Sequence, residues 1–111
     1  SELVEPNAES ISAAASGVIP ADTRTSITNA NATGAYPIAT FTWIIIYKEQ
    51  NYSDRSKEQA IATLDLLQYI LSDEAQKITS EVHYAPLPAK AKELSMKNLK
   101  TMTYDGMPIL Q

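Results

Sequence analysis

The stretch Ile38-Ala39-Thr40-Phe41-Thr42-Trp43-Ile44-Ile45-Ile46-Tyr47 decides the fold class of this chain. It is rich in β-branched and aromatic residues, a composition that is typical of a β-strand. Its first half alternates, with Thr40 and Thr42 on one face and Phe41 on the other, and from Trp43 onward both faces are apolar. Strands that are apolar on both faces lie in sheets covered by helices on both sides. The stretch therefore predicts a strand that enters the interior of an α/β sheet.

Helical patterns lie on both sides of this strand. Asn7 is a suitable N-cap for a first helix, which we expect to end at Gly17. A second helix is expected to begin at Ser53 or Asp54 and to carry an apolar stripe at helical spacing. The stripe consists of Ala60, Ile61, Leu64, Leu67, Ile70 and Leu71. Between the first helix and the strand, residues 25–28 are a possible short strand and residues 29–34 read as a loop.

Two more helices are expected in the second half of the chain. Ser72 is a natural cap for a helix from Asp73 to about Val82, with acidic residues in its first turn. Pro86 and Pro88 then interrupt the chain, and Pro88 suits the first turn of a last helix. The residues expected to pack from these helices are Ala75, Ile78, Val82, Leu94, Leu99 and Met102. Tyr104-Asp105-Gly106 predicts a turn.

Composition limits the functions open to the chain. It has 111 residues, a net charge of −4 and no cysteine. The length suits one small domain. The acidic balance disfavours nucleic acid as a partner, and the absence of cysteine removes disulfides and thiol catalysis. No apolar run reaches the ~20 residues that span a bilayer. No signal peptide is visible at residues 1–5, so we expect either a cytosolic protein or a natural N-terminus that has been removed.

No constellation of residues points to catalysis or to a metal. His83 is the one histidine, and we expect it to have a structural role at a helix end. Asp73 and Glu74 are adjacent on a helix and diverge in direction, so first-turn electrostatics explains them better than acid–base chemistry. The lysines of the last helix are interleaved with Glu93, which is typical of a solvated face. We therefore expect no enzyme, no catalytic residue, no metal ligand and no cofactor.

Several short segments, in a set order and spacing, carry a resemblance to a known family. They are Val4-Glu5-Pro6, residues 10–15, Ile19-Pro20-Ala21-Asp22, Thr28-Asn29-Ala30, Tyr36-Pro37-Ile38, Phe41-Thr42-Trp43, Tyr47-Lys48, Tyr84-Ala85-Pro86-Leu87-Pro88 and Thr103-Tyr104-Asp105-Gly106. Together they resemble the C-terminal end of the periplasmic phosphate-binding proteins of ABC transporters. The resemblance implies the C-terminal part of a two-lobed, type II periplasmic-binding-protein fold, α/β in class, with helices packed on a small sheet.

The resemblance also implies a division of the chain. Residues 1–35 would end the second lobe, residues 36–43 would form a crossover or hinge strand, and residues 44–111 would be the C-terminal part of the first lobe. Family members are roughly twice this length or more, so the chain looks like a fragment. Its location would be periplasmic, or lipid-anchored on the outer face of the cytoplasmic membrane.

The family's phosphate ligands come mainly from two upstream motifs that this chain does not contain, and Arg24 and Arg55 lie in neither. No phosphate-binding residue is therefore assigned here. Thr40, Phe41 and Thr42 are candidates for lining the cleft, although the alternative is that Phe41 packs and the threonines simply suit a strand. The hinge candidates are Tyr36, Pro37 and Ile38, because proline favours an extended connector.

The expected partners follow from the same resemblance. They are inorganic phosphate, held through the missing N-terminal part, and the membrane permease of the ABC transporter. A fragment would expose apolar faces, so self-association of the chain is also expected. The alternative is a stand-alone, non-catalytic interaction or regulatory domain derived from this lobe, which would fold alone as a compact monomer.

Overall fold

The computed structural model describes residues 3–111 and contains four helices and one small sheet. The helices are α1 (Ala8–Ala14), α2 (Lys57–Ile70), α3 (Asp73–Glu81) and α4 (Ala89–Leu99). Strands β1 (Thr103–Tyr104) and β2 (Met107–Pro108) pair antiparallel. The chain is thus α/β in class, with a sheet of two strands. Ser1 and Glu2, with which the expected first segment begins, lie outside the described residues.

Two of the expected helix starts are confirmed. Asn7 caps α1, because its side-chain oxygen accepts the Ser10 N–H at 2.9 Å while the Ser10 hydroxyl accepts the Asn7 N–H at 3.1 Å. This reciprocal pair is a capping box. Ser72 caps α3, and its hydroxyl accepts the Ala75 N–H at 3.1 Å. Both caps satisfy N–H groups that a helix leaves without an internal partner.

The expected start of the second helix is wrong by about three residues. Ser53 and Asp54 have φ values of 50° and 58°, which is left-handed backbone and ends any helix that would include them. Ser56 is the cap instead, and it forms a capping box with Gln59. The helix α1 also ends earlier than Gly17, because Ala15 already closes it with a bond from its N–H to the Ser12 carbonyl.

The buried apolar residues form small clusters. One contains Ala14, Ala15, Ile27 and Ala39, and a second contains Ile19, Ala91 and Leu94. Phe41 packs against both clusters and so joins the first part of the chain to α4. Elsewhere Leu64 is the one large apolar side chain in residues 3–111 that is fully buried. Because half of the buried apolar residues are alanines, the core is thin.

The packing of α3 differs from the expectation. Ile78 and Val82 are 46% and 56% exposed, so the prediction that they pack is wrong. Gln76 takes the buried position instead. Its amide donates to the Ile70 carbonyl at 2.8 Å, and its oxygen accepts the Leu87 N–H at 2.7 Å. The side chain therefore ties the end of α2 to the proline-rich segment before α4.

Residues 38–47, the expected strand, form no strand in the described chain. Pro37 and Ile38 lie in a turn, and residues 39–47 continue without helix, turn or bend. The expected burial on both faces is also wrong here, since Ile45 is 93% exposed. A strand needs a neighbouring strand for its N–H and C=O groups. Residues 3–111 supply no such neighbour at this place.

The hairpin of β1 and β2 turns at Asp105 and Gly106, which confirms the expected turn. Their φ values are 50° and 74°. Positive φ at both central residues defines a type I′ turn, for which Asp-Gly is a preferred pair. Glu49 forms a parallel bridge to Thr103. The hairpin is thereby attached to the end of the long central segment.

The described chain is elongated and leaves apolar surface uncovered. Its extents are 54 × 27 × 23 Å and its radius of gyration is 16.2 Å, against about 13 Å for a compact domain of this length. The accessible surface is 7912 Å², whereas about 6,100 Å² is typical of a folded monomer of 12.2 kDa. Among residues 3–111, every helix is too short or too polar to cross a bilayer.

Candidate functional site

The three candidate cleft residues occupy different environments. Thr40 and Thr42 are exposed, and the Thr40 hydroxyl donates only to the neighbouring Phe41 carbonyl, at 3.3 Å. Phe41 is half-buried, and its ring meets the Trp43 ring edge-on, with centroids 6.0 Å apart. The Trp43 indole N–H donates to the Thr23 carbonyl at 3.4 Å. The aromatic residues hold the segment to the body of the chain, while both threonines face solvent.

The hinge candidates are attached to the first part of the chain. The Tyr36 N–H donates to the Ser10 carbonyl at 2.9 Å, and the Pro37 carbonyl accepts the Asn29 N–H at 2.7 Å. Ile38 is exposed in the turn that follows. Tyr36 and Pro37 are therefore connected to α1 and to the loop before them. Their role as a hinge stays a prediction.

The most densely hydrogen-bonded acidic side chain is Glu49, which sequence reasoning missed. Its carboxylate accepts the N–H groups of Asn51 and Asp105, each at 2.9 Å, and that of Gly106 at 3.0 Å. The Thr103 hydroxyl donates to it at 2.8 Å. Bonds to the ionised form, led by the Asn51 N–H and the Thr103 hydroxyl, lower the pKa of Glu49 to about 2. This carboxylate stays charged and cannot serve as a proton donor near neutral pH.

Arg55 is held by neutral groups. Its guanidinium donates to the Thr63 hydroxyl at 2.7 Å and to the buried Gln50 amide oxygen at 3.2 Å, and it lies 5.2 Å from the Tyr52 ring centroid. The Tyr104 hydroxyl donates to the Arg55 carbonyl at 2.8 Å. Within residues 3–111 no carboxylate forms an ion pair with Arg55. The side chain clamps the start of α2 to the central segment.

His83 lies immediately after the C-cap residue of α3. Its φ is 62°, and the Tyr84 N–H donates to the Thr79 carbonyl at 2.8 Å. A left-handed residue followed by a bond back into the last turn is a common way to end a helix. The backbone of His83 therefore has the structural role at a helix end that the sequence predicted.

The charged residues of α3 and α4, Asp73 and two of the lysines, form ion pairs. Lys92 of α4 donates to Asp73 at the start of α3, and this bond and charge lower the pKa of Asp73. Lys90 pairs with Glu93 at 3.2 Å on the exposed face of α4. Asp73 therefore stays ionised and links two helices, and the lysines lie on a face of mixed charge. In the described part of the chain, no three acidic or histidine side chains cluster as metal ligands would.

Two open surface depressions lie near the first part of the chain. They share Leu3, Val4, Thr33 and Gly34 in their linings. Neither lining contains an arginine, a lysine or a histidine, and one contains Glu5 and Glu9. An anion would meet like charge and few donors there, so these depressions do not suit phosphate.

The chain is similar in sequence to two phosphate-binding proteins. The phosphate-binding protein PstS of Xylella fastidiosa (strain Temecula1 / ATCC 700964) is 38% identical over 90 residues, and that of strain 9a5c is 36% identical over 90 residues. Each match covers 78% of this chain and 23% of the relative. The resemblance to phosphate-binding proteins is therefore confirmed, and the chain spans about a quarter of the length of the curated relatives that it matches. No family model matches the chain, and no solved structure matches it.

Proposed function

We propose that this chain is part of an extracytoplasmic solute-binding protein that captures inorganic phosphate for import by an ABC transporter. The observation that carries the proposal is the similarity over 90 residues to two phosphate-binding proteins. Such proteins bind and release their ligand without chemistry, so the chain is no enzyme and uses no cofactor. A stand-alone regulatory or interaction domain is not favoured, because both relatives are phosphate-binding proteins.

In the proposed fold the chain completes a two-lobed, type II binding protein. Residues 1–35 end one lobe, residues 36–43 cross between the lobes, and residues 44–111 belong to the other. The uncovered apolar surface and the extended segment 39–47, which has no strand beside it, support a chain that is part of a larger fold, since further polypeptide would cover both. The proposed hinge is Tyr36, Pro37 and Ile38, and the hydrogen bonds of Tyr36 to Ser10 and of Pro37 to Asn29 would hold the start of this hinge to the lobe that residues 1–35 end.

The phosphate ligands, in this proposal, lie outside the chain. Arg55 is already engaged by neutral acceptors, and the two surface depressions offer no cation. The exposed hydroxyls of Thr40 and Thr42 contribute at most to the rim of the cleft. They are suited to that position because a hydroxyl both donates and accepts hydrogen bonds. Closure of the lobes would remove water from the anion and strengthen each hydrogen bond to it.

The proposed partners and location follow from the proposed role in phosphate import. The closed, phosphate-loaded protein would dock on a membrane permease. It would act in the periplasm or be anchored by lipid on the outer face of the cytoplasmic membrane.

A chimera tests the function directly. The 111 residues replace the matching region of the Temecula1 relative, and phosphate binding is measured by calorimetry with sulfate as the control anion. We expect phosphate-selective heat from the chimera and none from the 111-residue chain alone. A chimera that folds, as judged by circular dichroism, but does not bind phosphate would contradict the proposed function. Phosphate-selective heat from the isolated chain would instead contradict the placement of the ligands outside it.

A further inference from the structure

The tip of the hairpin is formed by Asp105 and Gly106, which are the one Asp-Gly pair of the sequence. A glycine that follows an aspartate leaves its backbone nitrogen unobstructed, because it has no side chain. Around Gly106, nothing lies within 4 Å of the position that a Cβ atom would occupy. Shape alone therefore leaves the Gly106 nitrogen open to reaction with the Asp105 carboxyl group.

The reaction open to such a pair is isomerisation of the aspartate. The Gly106 nitrogen loses its proton and bonds to the Cγ atom of Asp105, and one carboxyl oxygen leaves as water, which closes a succinimide ring. Water then adds to the carbonyl of the original peptide bond and breaks its bond to nitrogen. The chain is left connected through the side-chain carboxyl group, which is isoaspartate. Water is the one co-reactant, and nothing is oxidised or reduced.

Glu49 holds the nitrogen that this reaction needs. The Gly106 N–H donates to the Glu49 carboxylate at 3.0 Å, and the Asp105 N–H donates to it at 2.9 Å. One carboxylate thus fixes the peptide groups on both sides of Asp105. A deprotonated nitrogen at Gly106 would also face the negative charge of this carboxylate, which disfavours loss of the N–H proton.

The other reacting group and Glu49 itself are held by further contacts. The Asn51 side-chain amide donates to the Asp105 carboxylate, and the Asn51 backbone N–H donates to Glu49 at 2.9 Å. The Thr103 hydroxyl donates to Glu49 at 2.8 Å. Ring closure would take the Gly106 nitrogen and the Asp105 carboxyl group away from these partners. The turn must therefore open locally before the two groups react.

We propose that Asp105-Gly106 is a site of isoaspartate formation, which the Glu49 carboxylate suppresses in the folded chain. Isomerisation would add the Cβ atom of Asp105 to the main chain. The lengthened turn would no longer match the pairing of Thr103 with Pro108 and of Tyr104 with Met107, so the hairpin would be disrupted. The proposal does not rest on phosphate binding, because every contact that carries it lies within residues 49–106.

The test follows isoaspartate at position 105 by peptide mass spectrometry during prolonged incubation at neutral pH. A peptide of residues 99–111, which lacks Glu49, gives the unprotected rate. The 111-residue chain should react about tenfold or more slowly than the peptide, because hydrogen bonds to a charged acceptor keep the turn closed. Glu49→Gln should raise the rate in the chain toward that of the peptide. Glu81→Gln is the matched control and should leave the rate unchanged.

A second variant separates local opening of the turn from loss of the fold. Thr103→Val removes one donor to Glu49 and keeps a β-branched residue in β1, so it should react at an intermediate rate. Circular dichroism establishes that each chain is folded, and Thr103→Val decides by the same comparison if Glu49→Gln does not fold. The proposal is overturned if the 111-residue chain reacts as fast as the peptide, or if the folded variant reacts no faster than the natural sequence.

Discussion

The carboxylate of Glu49 accepts the backbone N–H of Gly106 at 3.0 Å, across 57 positions of the chain. Gly106 is the second residue of the hairpin turn, and its partner Asp105 donates to the same carboxylate. One acidic side chain thus satisfies two N–H groups of a tight turn and fixes the hairpin against the central segment.

Acid should destabilise the chain through Glu49. The pKa of Glu49 is about 2 in the folded chain, against 4.5 for the free group, so the unfolded chain binds more protons between these values. The stabilisation is fully present above about pH 4.5 and is lost as the pH falls toward 2. Glu49→Gln should therefore lower stability at neutral pH and reduce its loss in acid, measured by urea unfolding across pH.

The control for this experiment is Glu81→Gln, because in the described chain the Glu81 side chain makes no hydrogen bond. The pKa values of Asp22 and Asp73 are also lowered, by Arg24 and by Lys92, so some acid sensitivity should persist in Glu49→Gln. An unchanged pH profile in Glu49→Gln would contradict the role assigned to the Glu49 carboxylate.

Replacing His83 by glycine should stabilise the chain. The residue has a φ of 62°, a left-handed conformation that costs a non-glycine residue about 1–2 kcal/mol. Glycine removes this cost but has a more flexible unfolded state, so we expect a net gain of roughly 0.5 kcal/mol. His83→Val should have the opposite effect, since a β-branched residue tolerates positive φ poorly. Thermal unfolding of both variants checks the sign, and a loss of stability in His83→Gly would refute this account of the helix end.

Gln76 should be essential to the packing of α3. In Gln76→Leu, the Ile70 carbonyl and the Leu87 N–H lose their partner at a buried position. Leaving such groups unsatisfied costs about 1–3 kcal/mol of the free energy of unfolding. Lys77→Leu, at the exposed neighbouring position, is the control and should change stability by less than about 0.5 kcal/mol. Equal effects of the two variants in urea unfolding would mean that the Gln76 amide is dispensable.

Leu64 should be the most sensitive apolar position of α2. It is 0% exposed, whereas Leu66 two residues later is 58% exposed. Leu64→Ala should cost about 2–5 kcal/mol, because it removes buried methyl groups and leaves a cavity. Leu66→Ala should cost little beyond the change in helix propensity, which slightly favours alanine. If Leu64→Ala unfolds no more readily than Leu66→Ala, the burial of Leu64 is not the main source of stability in this helix.

The local signals in the sequence were sufficient for several elements. Asn7 and Ser72 were expected as helix caps, and Asp105-Gly106 as a turn, and the structure has all three. Each of these features depends on residues that lie within three or four positions of one another, so the local sequence is enough to predict it. The start of α2 does not follow from local signals, because Ser53, Asp54 and Ser56 are all acceptable caps, and the left-handed backbone at the first two decides among them.

The sequence predicted which residues form the candidate site, but not which of them are buried and which are exposed. The resemblance named Thr40, Phe41 and Thr42, yet nothing local distinguishes the half-buried Phe41, which joins two clusters, from the exposed threonines beside it. Arg55 lies in no phosphate motif of the sequence, and its hydrogen bonds to Thr63 and Gln50 form only in the folded chain.

The amino-acid sequence by itself determined that four helices form, the caps of α1 and α3, the hairpin turn and the resemblance to phosphate-binding proteins. Only the tertiary structure decided that Gln76 is buried while Ile78 is exposed, that Glu49 binds the hairpin, and that residues 38–47 have no strand beside them. The physical reason is the range of the interactions. Caps and turns are satisfied by near neighbours, whereas a strand or a buried polar group depends on partners far along the chain, or on another chain.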